Sequence, residues 1–143
     1  MNNCLFVDTW GWLTLNDKKE TLHQETVNCY RQCLQQKWIF VTSDYVLDET
    51  FTLFFKRLNN YQAQKSFQAL LDSFQQSSFR LININQERFY ETVKLRKKYL
   101  DKPRISFTDL SSMIVMQEFN ITHILTDDSH FDQVGMAFIR VPT

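Results

Sequence analysis

Glycine and proline are scarce in this chain, with only two of each among 143 residues. Because these residues dominate flexible and kinked connections, the sequence excludes long Gly/Pro-rich linkers between domains. The length is also that of one ordinary domain. We therefore expect a single compact, helix-rich domain that covers residues 1–143.

Cysteine is rare too, and long apolar runs are missing. Cys4, Cys29 and Cys33 form an odd set without the spacing of a secreted disulfide domain, which favours a reducing compartment. No apolar run has the length needed to cross a bilayer. The opening segment, MNNCLFVDTW, lacks the basic region of a signal peptide. We expect a cytoplasmic protein that does not associate with membranes.

Neither sign of charge is in excess, since the chain has 16 basic and 16 acidic side chains. This balance excludes a strongly basic nucleic-acid binder, but it does not exclude a local basic patch. Apolar residues are plentiful at 43%, and phenylalanine alone occurs 13 times. The chain therefore has enough apolar side chains to fill one core.

Short apolar runs alternate with amphipathic segments along the whole sequence. Continuous apolar runs are typical of strands that are buried on both faces. The predicted strands cover residues 4–8, 38–42, 79–84, 121–126 and 137–141. The predicted helices cover residues 20–36, 44–58, 60–76, 86–100 and 107–119, and a further helix is expected to start near Thr9, a possible N-cap. This order predicts an α/β fold, a three-layer α/β/α sandwich with a mainly parallel central sheet.

Four acidic residues stand at positions where such a fold binds ligands. Asp8 and Asp128 follow predicted strands, whereas Glu49 and Asp109 lie in the first two turns of predicted helices. Ligands of an open α/β sheet bind beyond the carboxyl ends of its strands. Clustered carboxylates repel one another, and a divalent cation relieves that repulsion. Oxygen ligands suit Mg²⁺ or Mn²⁺, so the pattern predicts a metal site for phosphodiester hydrolysis.

Each of these acids except Glu49 could instead have a purely structural role, without binding a metal. Asp8 could cap a helix, Ser106 and Asp109 match a capping box, and Asp128 could start a helix after a turn. Glu49 has no basic neighbour three or four residues away that would explain it as an ion pair. From the helix face, we prefer Glu49 over the acid directly before it.

The acidic segments resemble the motifs of the PIN-domain nucleases, especially the VapC-like toxins of prokaryotic toxin–antitoxin pairs, and the likeness runs over nearly the whole chain. FVDTWGWL resembles the opening strand of that family with its first catalytic Asp, here Asp8, and the accompanying hydroxyl of Thr9. LDETFTLF resembles the second acidic motif and carries Glu49. SFTDLSS resembles the third and carries Asp109.

The fourth segment, ILTDDSHF, is similar to the strand-to-turn motif of that family: Thr, any residue, Asp, two residues and Phe. Thr126, Asp128 and Phe131 match this motif, with Asp127 at the variable position. One departure is the missing glycine before the 121–126 strand, where Asn120 could adopt the left-handed turn conformation. Another is Trp10, at a position where a small or polar residue is common.

The resemblance implies a Mg²⁺- or Mn²⁺-dependent endoribonuclease. It implies catalytic and metal-binding roles for Asp8, Glu49, Asp109 and Asp128, with Thr9 and Thr126 in support. It further implies a homodimer and a small antitoxin protein that inhibits the enzyme by blocking the acidic pocket.

A basic segment between Lys94 and Arg104 allows two interpretations. It is either a solvated helix end, where cations suit the helix dipole, or a track for RNA phosphates that includes Lys97, Lys98 and Arg104. For His130, close to the fourth acid, a surface or packing role is favoured over a role in the site.

Three other functions remain as alternatives. A phosphorylation-dependent receiver domain also gathers acids at strand ends, but it needs a lysine after a late strand, and here Pro142 and Thr143 follow the last predicted strand. A haloacid-dehalogenase-type phosphatase needs an acid at the position of Trp10. The remaining alternative is a catalytically silent PIN-fold protein that only binds partners.

Overall fold

The computed structural model describes residues 3–143. Residues 1 and 2, which begin the segment without a signal-peptide pattern, lie outside the described range. Within this range the chain forms five strands and six helices. The strands are β1 (Cys4–Val7), β2 (Ile39–Ser43), β3 (Phe79–Ile82), β4 (His123–Leu125) and β5 (Ile139–Val141). The helices are α1 (Thr9–Asn16), α2 (His23–Gln35), α3 (Asp44–Arg57), α4 (Asn60–Ser73), α5 (Gln86–Lys98) and α6 (Phe107–Glu118), and a 3₁₀ turn covers Ser129–Asp132.

The strands form one sheet in the order β3-β2-β1-β4-β5, and each neighbouring pair is parallel. In the middle of the sheet, Phe6 pairs with Val41 on one side and with Ile124 on the other. Parallel neighbours need long crossover connections, and the helices between the strands supply them. The predicted α/β/α sandwich with a parallel sheet is confirmed.

The central strand β1 explains why the apolar runs lack an alternating pattern. Leu5, Phe6 and Val7 are all fully buried, because helices cover both faces of a parallel sheet. Ile124 and Leu125 on the neighbouring strand β4 are fully buried as well. Burial of one such side chain stabilises the fold by roughly 1.5–3 kcal/mol, so the centre of the sheet is the main apolar core.

Polar caps set the starts of the later helices. Ser43 Oγ accepts a hydrogen bond from the backbone N–H of Val46 at 3.2 Å and so begins α3. Asp44, the first residue of α3, accepts a hydrogen bond from the N–H of Ile84 at 2.8 Å and ties α3 to the residues after β3. These two contacts fix where α3 leaves the sheet, and therefore where its acidic residues lie.

The start of α1 differs from the expectation. Asp8, and not Thr9, occupies the N-cap position, and in the described structure its side chain makes no capping hydrogen bond. The other predicted elements are found within about three residues of their expected bounds. Asn120 adopts a positive φ of 54°, which confirms the expected left-handed turn before β4. No helix within residues 3–143 is long and apolar enough to cross a membrane.

Candidate active site

The four predicted acids line a single cavity of about 450 Å³ at the carboxyl ends of β1 and β4. Asp8 follows β1 directly, and Asp128 follows β4 after two residues. Glu49 lies in the second turn of α3 and Asp109 in the first turn of α6. Four distant segments of the chain therefore deliver carboxylates to one place.

Asp8 is the most deeply placed of these acids, with 5% of its surface exposed. Thr126 Oγ1 donates a hydrogen bond to Asp8 Oδ2 at 2.9 Å. The same hydroxyl accepts from the backbone N–H of Asp128 at 3.1 Å. Thr126 thus links the acid after β1 to the acid after β4 and orients both. The alternative role of Asp8 as a side-chain helix cap is not what the structure shows.

The electrostatics of the cavity oppose full ionisation of its acids. Burial, followed by the nearby charge of Asp109, raises the pKa of Asp8 to about 7, even though the hydrogen bond from Thr126 lowers it. Burial and the charge of Asp128 raise the pKa of Asp109 to about 6, against the lowering effect of His130. The cluster therefore favours a proton or a cation among its oxygens.

The backbone of Asp109 takes part in the helix cap, while its carboxylate faces the cavity. Ser106 Oγ accepts from the backbone N–H of Asp109 at 3.0 Å, so the first half of the expected capping box is present. The reciprocal bond to Ser106 is not found among the described residues. Asp109 Oδ2 instead lies 3.2 Å from Nδ1 of His130. The shorter side chain of Asp, compared with Glu, leaves the carboxylate facing the cavity.

The structure places His130 in the cavity beside Asp109 and Asp128, although the sequence favoured a surface or packing role for it. Its backbone N–H donates to Asp128 Oδ1 at 2.9 Å, and its Nδ1 lies 3.1 Å from the same oxygen. Asp109, Asp128 and His130 each offer a ligand atom, and these atoms lie within 4.8 Å of one another. The sequence signal that could have found His130 is its position. It stands two residues after Asp128, the acid that follows β4, and so it lies in the same turn.

Glu49 lies at the rim of the cavity, where its side chain is exposed. The acid before it, Asp48, lines a different cavity together with Asp44 and Thr108. Asp127 also borders the acidic cavity, but it is 60% exposed and lies 3.9 Å from Arg140 Nη1. Glu49 is therefore the acid of α3 that joins the cluster, whereas Asp127 is directed toward Arg140.

Thr9 lines the cavity, yet its hydroxyl is engaged with α3. Thr9 Oγ1 donates to the carbonyl of Val46 at 3.4 Å and accepts from Thr50 Oγ1 at 3.4 Å. These contacts hold α1 against α3, and so they hold the backbone beside Asp8 in place.

The basic segment from Lys94 to Arg104 divides into several separate roles. Arg104 lines the acidic cavity, whereas Lys97 and Lys98 lie in the last turn of α5 and are not among the residues that line it. Lys98 Nζ stands 5.5 Å from the ring centre of Tyr99. Arg96 donates to the carbonyls of Tyr99 and Lys102 and holds the loop that carries Arg104.

Arg57 was missed in the sequence, and it lines the same cavity together with Glu49 and Leu53. The spacing of these three residues along α3, four and then four, is the signal that could have found it. Residues at this spacing share one face of a helix. Arg57 and Arg104 are the two cations among the described residues of the lining.

The sheet order, the parallel strands and the acidic cavity at their carboxyl ends define a PIN-like α/β/α fold. The solved structures that share it include a Mycobacterium tuberculosis protein, VapC20, described as a toxin that cleaves the sarcin–ricin loop. This chain superposes on it with a TM-score of 0.82 and 23% identity, over 97% of this chain and 99% of that chain. The fold implied by the motif resemblance is therefore confirmed.

Two more distant structures share the same architecture. VapBC2 from Rickettsia felis, bound to a DNA fragment from its promoter, matches with a TM-score of 0.71 and 17% identity, over 96% of each chain. FitAcB from Neisseria gonorrhoeae matches with a TM-score of 0.59 and 13% identity, over 87% of this chain and 88% of that chain. No family model and no curated protein matches the sequence. At these identities, the comparisons establish the fold.

Proposed function

We propose that this protein is a metal-dependent endoribonuclease and the toxin of a toxin–antitoxin pair. The observation that carries the proposal is the convergence of Asp8, Glu49, Asp109 and Asp128 on one cavity at the carboxyl ends of the central strands. Burial of an acid is costly unless a partner offsets its charge. Two of these acids are less than 10% exposed, so the arrangement serves a ligand better than it serves stability.

The donor set of the cavity fits Mg²⁺ or Mn²⁺. Four carboxylates supply hard oxygen ligands, and the raised pKa values of Asp8 and Asp109 reflect a surplus of negative charge that a divalent cation would neutralise. We infer that these four acids hold the cation. When bound, such an ion makes a water molecule more acidic and stabilises the charge that develops on a phosphate.

The remaining side chains position the acids and the substrate. Thr126 orients Asp8 through its donated hydrogen bond and the Asp128 backbone through its accepted one. With the proton on Nδ1, His130 donates to Asp109 Oδ2 and holds it beside Asp128. In this proposal Arg104, rather than Lys97 or Lys98, contacts the phosphate nearest the acids, because it lines the cavity.

We expect the substrate to be single-stranded or looped RNA. The acids lie inside a cavity, and an unstacked strand can bring one phosphate into it more easily than a rigid duplex can. The similar VapC20 structure is described as that of a toxin that cleaves the sarcin–ricin loop. A looped substrate for this chain is consistent with that description.

A partner protein completes the proposal. A free ribonuclease would harm the cell that produces it, so its activity needs restraint by a partner. An Arg or Lys from a small antitoxin would neutralise the four acids, and a guanidinium can bind a carboxylate through two hydrogen bonds. The homodimer implied by the resemblance is part of the same proposal, and sedimentation of the purified chain would test it.

The receiver-domain alternative does not fit the described cavity. That class needs a lysine beside its acids, and the described cations that line this cavity are Arg57 and Arg104. The phosphatase alternative needs an acid where Trp10 borders the cavity. A catalytically silent PIN-fold protein remains to be separated by experiment.

The direct test is cleavage of labelled RNA by the purified chain with Mg²⁺ or Mn²⁺. We expect Asp109→Asn to lower kcat/KM by roughly 10²–10³-fold, the size typical of losing one electrostatic contact to the reacting group, and EDTA to stop cleavage. Asp48→Asn is the matched control, because Asp48 lines another cavity. Equal activity of Asp109→Asn and Asp48→Asn would refute the metal site. A stable but inactive wild-type chain would support the silent alternative.

A further inference from the structure

The acidic cavity is the middle of three cavities that share residues. It has Arg104 and His130 in common with a cavity of about 540 Å³ beside the loop between α5 and α6. On its other side it has Arg57 in common with a cavity of about 380 Å³ beside the end of α1. The three cavities are therefore linked through shared lining residues, and we call them together the three-cavity groove.

Charge changes sign twice along this groove. The four carboxylates occupy its middle, and basic side chains occupy both ends. At the α1 end, Lys18, Lys19 and Arg57 stand against one carboxylate, Asp17. At the other end, Arg104 accompanies Lys102, whose Nζ lies 3.6 Å from Asp101. Although the chain is neutral overall, some of its cations therefore stand in both of the cavities that adjoin the acids.

The two arginines that border the acids have guanidinium groups available for a ligand. Within residues 3–143, neither Arg57 nor Arg104 forms an ion pair. Both are exposed. A guanidinium presents several donors in a plane and suits a phosphate better than a lysine does. By contrast, Arg88 and Arg140 are bound to Glu118 and Asp132.

Arg57 lies so far along α3 from Glu49 that the two residues would face different nucleotides of one bound strand. Glu49 and Arg57 are eight residues apart on one helix face, a rise of about 12 Å. Stacked nucleotides of one strand are about 3.4 Å apart along the axis, and unstacked ones are further apart. The rise therefore spans a few nucleotides at most, and Arg57 reaches a phosphate next to or near the one at the acids. Lys18 and Lys19 lie further along the same groove.

We propose that a single RNA strand lies along the three-cavity groove, with Arg57, Lys18 and Lys19 binding its phosphates on the side of the acids opposite to Arg104. The inference rests on the proposed ribonuclease function and adds the path of the substrate. The repeated negative charge of a nucleic-acid strand matches cations at both ends of a groove, and the acids between them, once neutralised by a cation, accept the phosphate to be cleaved.

The test compares two neighbouring cations of α3. Both Arg57 and Lys56 are exposed, but only Arg57 lines the groove, so Arg57→Ala and Lys56→Ala change the net charge equally. The probe is a fluorescent single-stranded 20-nucleotide RNA of mixed sequence, and its affinity for the Asp109→Asn chain is measured against salt concentration. Each lost phosphate contact should lower the slope of log K against log salt by about 0.7.

We expect Arg57→Ala to lower this slope by about 0.7 and Lys18→Ala with Lys19→Ala by up to about 1.4. Lys56→Ala with Lys65→Ala is the matched double control, since both lysines are exposed and outside the groove. If the slopes fall equally for groove and control variants while the wild-type chain still cleaves RNA, the proposed path of the RNA is overturned and the ribonuclease function is not. Failure of the parent chain to bind the probe and of the wild type to cleave RNA would overturn both proposals.

Discussion

Asp8 shows at the scale of one residue how a site can oppose the stability of its own fold. The carboxyl group is buried at the start of α1, and its hydrogen bond from Thr126 does not offset the cost of burial and of the neighbouring acid. In the unfolded chain the same group ionises with an ordinary pKa of about 3.8. A carboxyl whose pKa is higher in the folded state than in the unfolded state makes the fold less stable as the pH rises.

We therefore expect Asp8→Asn to stabilise the metal-free protein at neutral pH. Below about pH 4 the carboxyl is protonated in both states, so its penalty is absent. Between pH 4 and about pH 7 the unfolded state releases its proton first, and the penalty grows to roughly 1–4 kcal/mol. Denaturant unfolding in EDTA at pH 4.5, 6 and 8 measures the difference from wild type.

Asp48→Asn is the control for this measurement, because Asp48 is exposed and lies outside the acidic cavity. The stability difference between Asp8→Asn and wild type should widen with pH, while that for Asp48→Asn should stay constant. Parallel profiles for the wild type and Asp8→Asn would mean that the buried carboxyl carries no electrostatic penalty.

At the scale of the elements, the contact between α1 and β4 places Asp8 beside Thr126. Gly11 makes this approach possible, since an added Cβ would lie 2.7 Å from the carbonyl oxygen of Leu125 and 3.0 Å from Cγ1 of Val7. Both neighbours belong to the central strands, and the nearest atom is backbone. The helix therefore has little freedom to accept a larger residue here.

We expect Gly11→Ala to destabilise the protein by about 1–3 kcal/mol, because the overpacked contact outweighs the gain in helix propensity of about 1 kcal/mol. Denaturant unfolding measures this loss. The displaced α1 should also lower RNA cleavage, since Asp8 precedes it directly.

Gly135→Ala is the control that separates the loss of stability from the loss of RNA cleavage. Gly135 has a φ of +61° and no atom within 4 Å of an added Cβ, so its substitution costs only backbone strain, on the order of 1 kcal/mol. That variant should keep its activity in the folded fraction. Gly11→Ala with unchanged stability and cleavage would show that α1 can shift without disturbing the site.

On the scale of the whole molecule, a neutral chain separates its charges by position. Carboxylates gather at one edge of the sheet, and cations flank them on α3, on the α5–α6 loop and after α1. In our proposal, this edge attracts phosphates and also holds a divalent cation. If the proposed ribonuclease is active without a partner, the cell that produces it should be harmed.

We accordingly expect expression of the wild-type chain alone to arrest growth, and Asp8→Ala to relieve the arrest at equal protein levels. Growth curves with immunoblots of both variants check this. A wild-type chain that is harmless in its native host without any neighbouring gene would refute the toxin proposal. The ribonuclease proposal would then depend on the cleavage assay alone.

Local patterns were sufficient to predict most of the fold. Apolar runs such as 4–8 indicated strands covered on both faces, and Ser106 indicated a helix start that the structure has. The meeting of Asp8 and Asp128 also followed from sequence, because the carboxyl ends of parallel strands lie at one edge of a sheet. These features depend on neighbouring residues and on one rule of sheet geometry.

Other features depend on distances between segments that are far apart in the chain, and only the tertiary structure decided them. The imidazole of His130 lies between Asp109 and Asp128 because the 3₁₀ turn folds back onto α6. Arg57 lines the cavity of the acids, whereas Lys97 and Lys98 do not, although all three are basic residues in the last turn of a helix. Sequence determined which residues carry charge, and packing determined which of those charges face the same cavity.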